Sequence, residues 1–137
     1  MGWGGWMIGV DTNIVIRLLL DNPSAPEQAQ VARRLVAAAD QPLLVAVPVI
    51  AEIAWVARGV FRLGKDEVIS VLSALLANPA FIVAEHVAVQ QALDAYRTSR
   101  ADFTDHLIAA LNRAAGCTAT LTFDKIAAKD PDFTLLN

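Results

Sequence analysis

Cysteine is almost absent from this sequence, because Cys117 is the only one among 137 residues. A single cysteine excludes an intramolecular disulfide and a metal site built from several thiolates. The first ten residues, MGWGGWMIGV, also lack the basic region, the long apolar stretch and the cleavage site of a secretory signal. Both absences favour a cytoplasmic protein. Because residues 1–6 fit no periodic pattern, we predict that they form a tail outside the fold.

Long hydrophobic runs are missing as well, although hydrophobic residues make up 55% of the chain. The longest run, residues 43–57, contains Pro48 and Glu52, whereas a membrane-spanning helix needs about 20 predominantly apolar residues. We therefore expect no membrane segment. A surplus of basic residues is also missing, because the formal net charge is −3. A nucleic acid would have to be bound through a local basic patch or through a metal ion.

Sequence motifs for several common chemistries are absent. The chain has no GxxxxGK[ST] loop, no GxGxxG fingerprint and no GxSxG elbow. These absences argue against a P-loop nucleotide hydrolase, a dinucleotide-dependent enzyme and an α/β-hydrolase. The segment DTN at 11–13 also differs from the Asp-x-Asp of aspartyl-phosphate phosphatases.

Strand and helix patterns alternate along the chain. Apolar runs predict strands at 7–10, 43–47, 81–84, 117–123 and 133–136. Helical periodicity with capping residues predicts helices at 12–20, 25–39, 48–61, 66–77, 86–99 and 104–115, and a helical turn at 124–129. Because the strands are continuous apolar runs, we expect a mostly parallel, twisted sheet with helices on both faces. The sequence thus predicts a single α/β domain over residues 7–137, a three-layer α/β/α sandwich.

Two aspartates directly follow predicted strands. Asp11 follows the first strand and Asp124 the fourth. The carboxyl ends of parallel strands form ligand crevices in open α/β sheets, so both carboxylates are candidates for a shared site. Helix capping is the alternative for each of them, although Thr12 and Asn13 compete with Asp11 to cap the first helix.

Glu52 is the most unexpected acid, because its helical neighbours are apolar. The positions three and four residues away hold Pro48, Val49, Trp55 and Val56. An unpaired ionised carboxylate among apolar groups costs on the order of several kcal/mol or has a raised pKa. We therefore expect a tertiary partner or a bound cation for Glu52, with an exposed helix edge as the alternative.

The segment RADFTDHLIAALNRAAG carries two further acids at its start. A helical projection places Asp102 and Asp105 on one face, opposite an apolar face that consists of Leu107, Ile108, Leu111 and Ala115. Asp105 is therefore a candidate ligand, with a solvated first-turn acid as the alternative. Asp102 is a secondary candidate, since an aspartate at this position is more often a helix cap. His106 is predicted to lie at the surface or at the rim of the site.

All of these candidate ligands are oxygen donors. Carboxylates a few ångströms apart cannot all stay ionised without compensation, which a divalent cation supplies. Oxygen ligands favour Mg²⁺ or Mn²⁺ over Zn²⁺. A carboxylate-held Mg²⁺ suits phosphoryl chemistry, because it lowers the pKa of an attacking water and stabilises the entering and leaving oxygens.

Four stretches of the chain together resemble the PIN-domain ribonucleases, and more narrowly the VapC-type toxins of type II toxin–antitoxin pairs: IGVDTNIVIRLL, VIAEIAWVA, DFTDHLIAALNRAAGCTATLTFDK and FTLL. The resemblance covers about residues 7–137 and implies a parallel sheet with an acidic pocket at the strand ends. By motif position it implies that Asp11, Glu52, Asp105 and Asp124 are the catalytic acids and metal ligands.

The resemblance implies supporting roles for other polar residues. Asn13 and Thr122 match positions that help to organise such a pocket, and Asp102 is an additional neighbouring acid. His106 stands where a small residue is more common in similar sequences.

The resemblance also implies partners: an RNA substrate, a second copy in a homodimer, and a cognate antitoxin whose C-terminal segment covers the pocket, commonly with a basic side chain. Arg17 and Arg58 are candidates for contacts with RNA, with an ordinary solvated face as the alternative. We assign Trp55 to the core, with an exposed groove for a peptide or a dimer face as the alternative.

The leading hypothesis is a Mg²⁺- or Mn²⁺-dependent endoribonuclease that acts as a toxin. Two alternatives stay open: a catalytically inactive PIN-like module that binds a partner protein or RNA, and a metal-dependent phosphatase that acts on small substrates.

Overall fold

The computed structural model describes residues 7–20 and 26–137. The predicted tail at 1–6 and the predicted turn and helix start at 21–25 lie outside the described residues. The chain divides into two compact units, an N-terminal unit that ends at Ala84 and a C-terminal unit that spans residues 85–137. Both units combine helices with parallel strands, which confirms the predicted α/β fold class. The assignment of residues 7–137 to one domain stays a prediction.

The described part of the N-terminal unit is a three-stranded parallel sheet with four helices. Its elements are β1 (Ile8–Val10), α1 (Thr12–Leu19), α2 (Pro26–Ala38), β2 (Leu43–Val45), α3 (Val47–Gly59), α4 (Lys65–Ala77) and β3 (Phe81–Val83). The strand order is β1-β2-β3, and Gly9 pairs with Leu44, which pairs with Ile82. Because parallel neighbours need a crossover connection, the pairs α1–α2 and α3–α4 each return the chain to the start of the next strand.

The C-terminal unit contains two helices followed by a second pair of parallel strands. Its elements are α5 (His86–Arg97), α6 (Phe103–Ala114), β4 (Thr120–Thr122), a 3-10 helix (Ala127–Lys129) and β5 (Phe133–Leu135). Tyr96 at the end of α5 packs edge-on against Phe103 at the start of α6, with ring centroids 6.0 Å apart.

Gly116 ends α6, as its sequence position predicts. It has a φ of 101°, a left-handed conformation that glycine adopts without a Cβ penalty. The N–H of Gly116 donates to the carbonyl of Arg113, and the N–H of Cys117 donates to the carbonyl of Asn112, which is the Schellman arrangement. This turn shortens the fourth strand, which was predicted from residue 117 and begins at Thr120.

Helix α3 buries a single face, and Trp55 is not on it. The buried residues are Ile50, Ile53, Ala54 and Ala57, whereas the side chain of Trp55 is 67% exposed. The prediction that Trp55 belongs to the core is therefore wrong. The spacing 50, 53, 54 and 57 already forms a complete buried stripe, and position 55 lies outside it.

The described helices include none that is long and apolar enough to cross a membrane.

Candidate active site

Asp11 caps helix α1 immediately after strand β1. It has an extended backbone with φ −89° and ψ 177°, and its Oδ1 accepts a hydrogen bond from the N–H of Ile14 at 3.3 Å. The prediction that Thr12 or Asn13 caps this helix is wrong, because both are already helical and Thr12 is buried. Capping uses one carboxylate oxygen and leaves the side chain of Asp11 exposed.

Asp11 and Asn13 line an open cleft of about 450 Å³ between α1 and α2. The other lining residues are Ile14, Arg17, Glu27, Gln28 and Val31. The guanidinium Nε of Arg17 donates to Oε1 of Gln28 at 3.0 Å, which holds this cation in the cleft. Three of the predicted site residues therefore share one surface. Glu27 and Gln28 were not predicted, since nothing in the sequence shows which face of α2 lies against α1.

Glu52 lies on the exposed side of α3. Among the described residues, no hydrogen bond or ion pair engages its carboxylate, so the expected tertiary partner is absent there. A bound cation at Glu52 stays a prediction. Arg58 lies six residues further along, about 240° around the helix axis. Its Nη1 donates to the carbonyl of Leu63 at 3.4 Å. Within this unit, Arg58 and Glu52 therefore do not share a face of α3.

Asp105 lies close to two other carboxylates in the C-terminal unit. Partial burial raises the pKa of Asp105 above the ordinary 3.8, and the charges of Asp102 and Asp124 raise it further. A hydrogen bond from the backbone of Asp102 and the neighbouring His106 act in the opposite direction and lower this pKa. The unit thus brings Asp105 within electrostatic range of both acids, although Asp105 and Asp124 are far apart in sequence.

Asp124 is held by a compact network of backbone hydrogen bonds. Its N–H donates to Oγ1 of Thr122 at 2.9 Å. Its Oδ1 accepts from the N–H groups of Ile126 at 2.8 Å and Ala127 at 3.2 Å. Asp124 therefore starts the turn that leads into the 3-10 helix, as its capping alternative predicts, and Thr122 helps to fix it. Asp102 is the N-cap residue of α6, but its side chain makes no capping hydrogen bond.

His106 is buried, so the prediction that it lies at the surface or at a rim is wrong. Its side chain is 2% exposed, and its Nδ1 lies 3.1 Å from Oδ2 of Asp130. The predicted apolar face of α6 is wrong at Ile108, which is 46% exposed, and at Ala115, which is exposed and follows the end of the helix. The buried stripe instead includes Phe103, His106 and Leu107. The helix begins one residue earlier than predicted. The buried face was misplaced because His106 is polar and was therefore assigned to the surface.

The donor chemistry of these acids fits Mg²⁺, because every candidate ligand is a carboxylate oxygen. The charges of Asp102 and Asp124 each raise the pKa of Asp105, an effect that a bound cation would relieve. In neither unit, over residues 7–20 and 26–137, do three acidic, histidine or cysteine side chains converge closely enough to form a complete metal site.

The raised pKa of Asp105 predicts how the stability of the metal-free protein depends on pH. Between 3.8 and the raised value, the folded protein binds more protons than the unfolded chain. The free energy of unfolding should therefore decrease as pH rises through this interval. Asp105→Asn should remove this contribution, which urea unfolding in EDTA at a series of pH values would measure. The same pH dependence in the wild type and in Asp105→Asn would contradict the prediction.

The sequence pattern of the PIN domain family matches residues 8–132. The chain therefore belongs to the PIN domain family, whose members are typically Mg²⁺-dependent nucleases. The match spans all four predicted acids, Asp11, Glu52, Asp105 and Asp124. No curated protein matches the chain.

Proposed function

We propose that this PIN domain is a Mg²⁺-dependent endoribonuclease, able to use Mn²⁺, and that it acts as the toxin of a toxin–antitoxin pair. The observation that carries the nuclease proposal is the placement of Asp105 within electrostatic range of Asp102 and Asp124, whose charges add to the effect of partial burial in raising its pKa. A bound cation would relieve this repulsion. Family membership supports the same chemistry.

The proposed metal ligands and catalytic acids are Asp11, Glu52, Asp105 and Asp124. Asp105 and Asp124 are supported by the effect of the Asp124 charge on the pKa of Asp105, and Asp124 is also held in place by Thr122. Asp11 and Glu52 are proposed from their positions in the motif pattern. Bound Mg²⁺ would lower the pKa of an attacking water and stabilise the leaving oxygen of the phosphodiester.

Arg17 is the proposed contact for an RNA phosphate beside Asp11. Gln28 orients its guanidinium in the cleft that Asp11 and Asn13 line, and an ordered arginine offers several donors to one phosphate. Because the chain has a net charge of −3, contacts of this kind must be local. Arg58 is proposed as a second contact from its place in the basic stretch after Glu52, where its Nη1 donates to the carbonyl of Leu63.

The toxin role, the antitoxin, the homodimer and the cytoplasmic location are proposed from the resemblance to VapC-type toxins. The exposed apolar side chains of Trp55 and Val60, 67% and 61% exposed, support a protein-binding surface on and just after α3. A peptide that covers this surface and carries a basic side chain would complement the nearby Glu52 on the same helix.

A catalytically inactive PIN-like module that binds RNA or a protein is the second candidate function. It is favoured by one observation, since no three potential ligands converge into a complete metal site within the described part of either unit. The two candidates differ in whether the acids are needed, because a binding module would not require a carboxylate-held metal.

Incubation of the purified protein with total RNA tests the proposed function. We expect endonucleolytic cuts with Mg²⁺ and with Mn²⁺, and none with EDTA, when the ends are mapped by sequencing. The control substrate is single-stranded DNA with the sequence of a mapped RNA cut site, and it should stay uncut. If the protein, once freed of co-purified partners, cuts no RNA under any of these conditions, the nuclease proposal is wrong. Binding without cleavage would favour the inactive module.

A further inference from the structure

His106 and Asp130 form a buried pair for which the proposed catalysis has no use. The side chain of His106 is 2% exposed and that of Asp130 is 13% exposed. Because a carboxylate only accepts hydrogen bonds, Nδ1 of His106 is the donor in this pair. Its buried Nε2 has no hydrogen-bond partner within the described part of the chain. An apolar side chain would fill this space without leaving a polar atom unpaired, so packing alone does not account for His106.

The pair connects the two segments of the chain that carry Asp105 and Asp124. His106 follows Asp105 in α6, and Asp130 comes directly after the 3-10 helix. Between Asp124 and Asp130 the chain forms a series of hydrogen-bonded turns. The N–H of Ala128 donates to the carbonyl of Asp124 at 3.0 Å, and the N–H of Asp130 donates to the carbonyl of Ala127 at 3.0 Å. We name residues 124–130 the turn segment. These hydrogen bonds connect Asp124 at the start of the turn segment with Asp130 at its end.

The other side-chain bonds between α6 and the strands lie at the opposite end of the helix. Nδ2 of Asn112 donates to Oγ1 of Thr120 at 3.0 Å, and the guanidinium of Arg113 pairs with the carboxylate of Asp132. At a rise of about 1.5 Å per residue, these contacts are roughly 10 Å along the axis from His106. Among the described residues, His106 with Asp130 is the side-chain bond that attaches the turn segment to α6 beside the catalytic candidates.

We infer that His106 and Asp130 are positioning residues that hold the turn segment on α6 and thereby fix the distance between the carboxylates of Asp105 and Asp124. The catalytic consequence rests on the proposed function, whereas the attachment itself does not. The pair acts through the two acids and contacts no substrate. It also gives a role to a buried histidine whose Nε2 has no hydrogen-bond partner among the described residues.

The test compares His106→Leu, which removes the donor, with His106→Asn, whose amide nitrogen can occupy the position of Nδ1. Arg113→Leu is the matched control, because it breaks the ion pair at the far end of the same helix. The first measurement is amide hydrogen exchange of Ile126 and Ala127 without metal, since both N–H groups donate to Asp124. We expect His106→Leu to speed this exchange about tenfold or more relative to exchange at Leu93, a fully buried residue of α5. We expect His106→Asn and Arg113→Leu to change it less than about threefold.

The second measurement is Mn²⁺ affinity by calorimetry together with the rate of RNA cleavage. Loss of a group that orients a ligand typically costs about 10–100-fold in affinity or activity. We expect this loss in His106→Leu, recovery to within about threefold in His106→Asn, and no comparable loss in Arg113→Leu.

Three results would decide against the inference: unchanged exchange at Ile126 and Ala127 in His106→Leu, an equal increase in Arg113→Leu, or equal losses of Mn²⁺ affinity in the Leu and Asn variants. If His106→Leu does not fold, Asp130→Ala replaces it with the same expected results. If the wild type binds no Mn²⁺ and cuts no RNA, the proposed function fails, and the exchange comparison alone decides whether the pair holds the turn segment.

Discussion

Asp105→Asn should abolish RNA cleavage while leaving the protein folded. The substitution keeps the size of the side chain and removes a charge that a bound Mg²⁺ would need. A catalytic metal contributes on the order of several kcal/mol to transition-state stabilisation, so its loss should lower kcat/KM by about a thousandfold or more. Cleavage of a labelled RNA under single-turnover conditions measures this loss.

The stability of Asp105→Asn should change in the opposite direction from its activity. Burial and the charges of Asp102 and Asp124 raise the pKa of Asp105, so the ionised carboxylate is unfavourable in the metal-free fold. A neutral amide removes this repulsion, and the variant should be at least as stable as the wild type at pH 7 in EDTA. A large loss of stability would instead mean that inactivity comes from unfolding.

Asp94→Asn is the matched control for the charge change. Asp94 is an exposed acid on α5 in the same unit, paired with Arg97 at 3.7 Å. Exposed ion pairs contribute about 0–1 kcal/mol to stability, and both variants lose one negative charge. Asp94→Asn should therefore cleave RNA at the wild-type rate. If Asp105→Asn also cleaves at that rate, Asp105 is not catalytic and the binding-module alternative gains support.

The sequence predicted most helices and strands because the signals for them are local. Apolar runs predicted all five strands, and helix-terminating residues such as Gly116 and Asn78 predicted helix ends. The errors of boundary also have local causes. The fourth strand was predicted too long, because Cys117 was counted in its apolar run. The N–H of Cys117 instead donates to the carbonyl of Asn112 in the Schellman turn. Helix α6 was predicted to begin one residue late, and its buried face was misplaced because the polar His106 was not expected in the core.

The candidate site was less predictable, because its contacts join residues distant in sequence. The resemblance implied that Asp105 and Asp124 share a pocket, but nothing in the sequence indicated the partner of His106. Asp130 lies in a turn with no periodic pattern, and only the fold of the C-terminal unit brings it to α6. Glu27 and Gln28 were missed beside Asp11 for the same reason, since they come from α2.

Asp11 offers the sharpest separation between a structural and a catalytic role, because it visibly caps α1. Asn and Asp are about equally good N-cap residues. The amide oxygen of Asp11→Asn can still accept the hydrogen bond from Ile14, so this variant should keep its stability to urea. If Asp11 also serves catalysis, it should lose RNA cleavage by about a hundredfold or more, since the lost charge is worth several kcal/mol at a metal.

Asp11→Ala and Asp66→Asn complete the comparison. Asp11→Ala removes both the cap and the charge, so it should lose about 1 kcal/mol of stability in addition to its activity. Asp66 is an exposed first-turn acid of α4 in the same unit, so Asp66→Asn should retain cleavage. A purely structural Asp11 gives the opposite pattern, in which Asp11→Asn cleaves RNA normally and Asp11→Ala loses stability alone. Urea unfolding and Mg²⁺-dependent cleavage, measured on the same preparations, distinguish the two roles because capping depends on an acceptor oxygen, whereas metal binding depends on the charge.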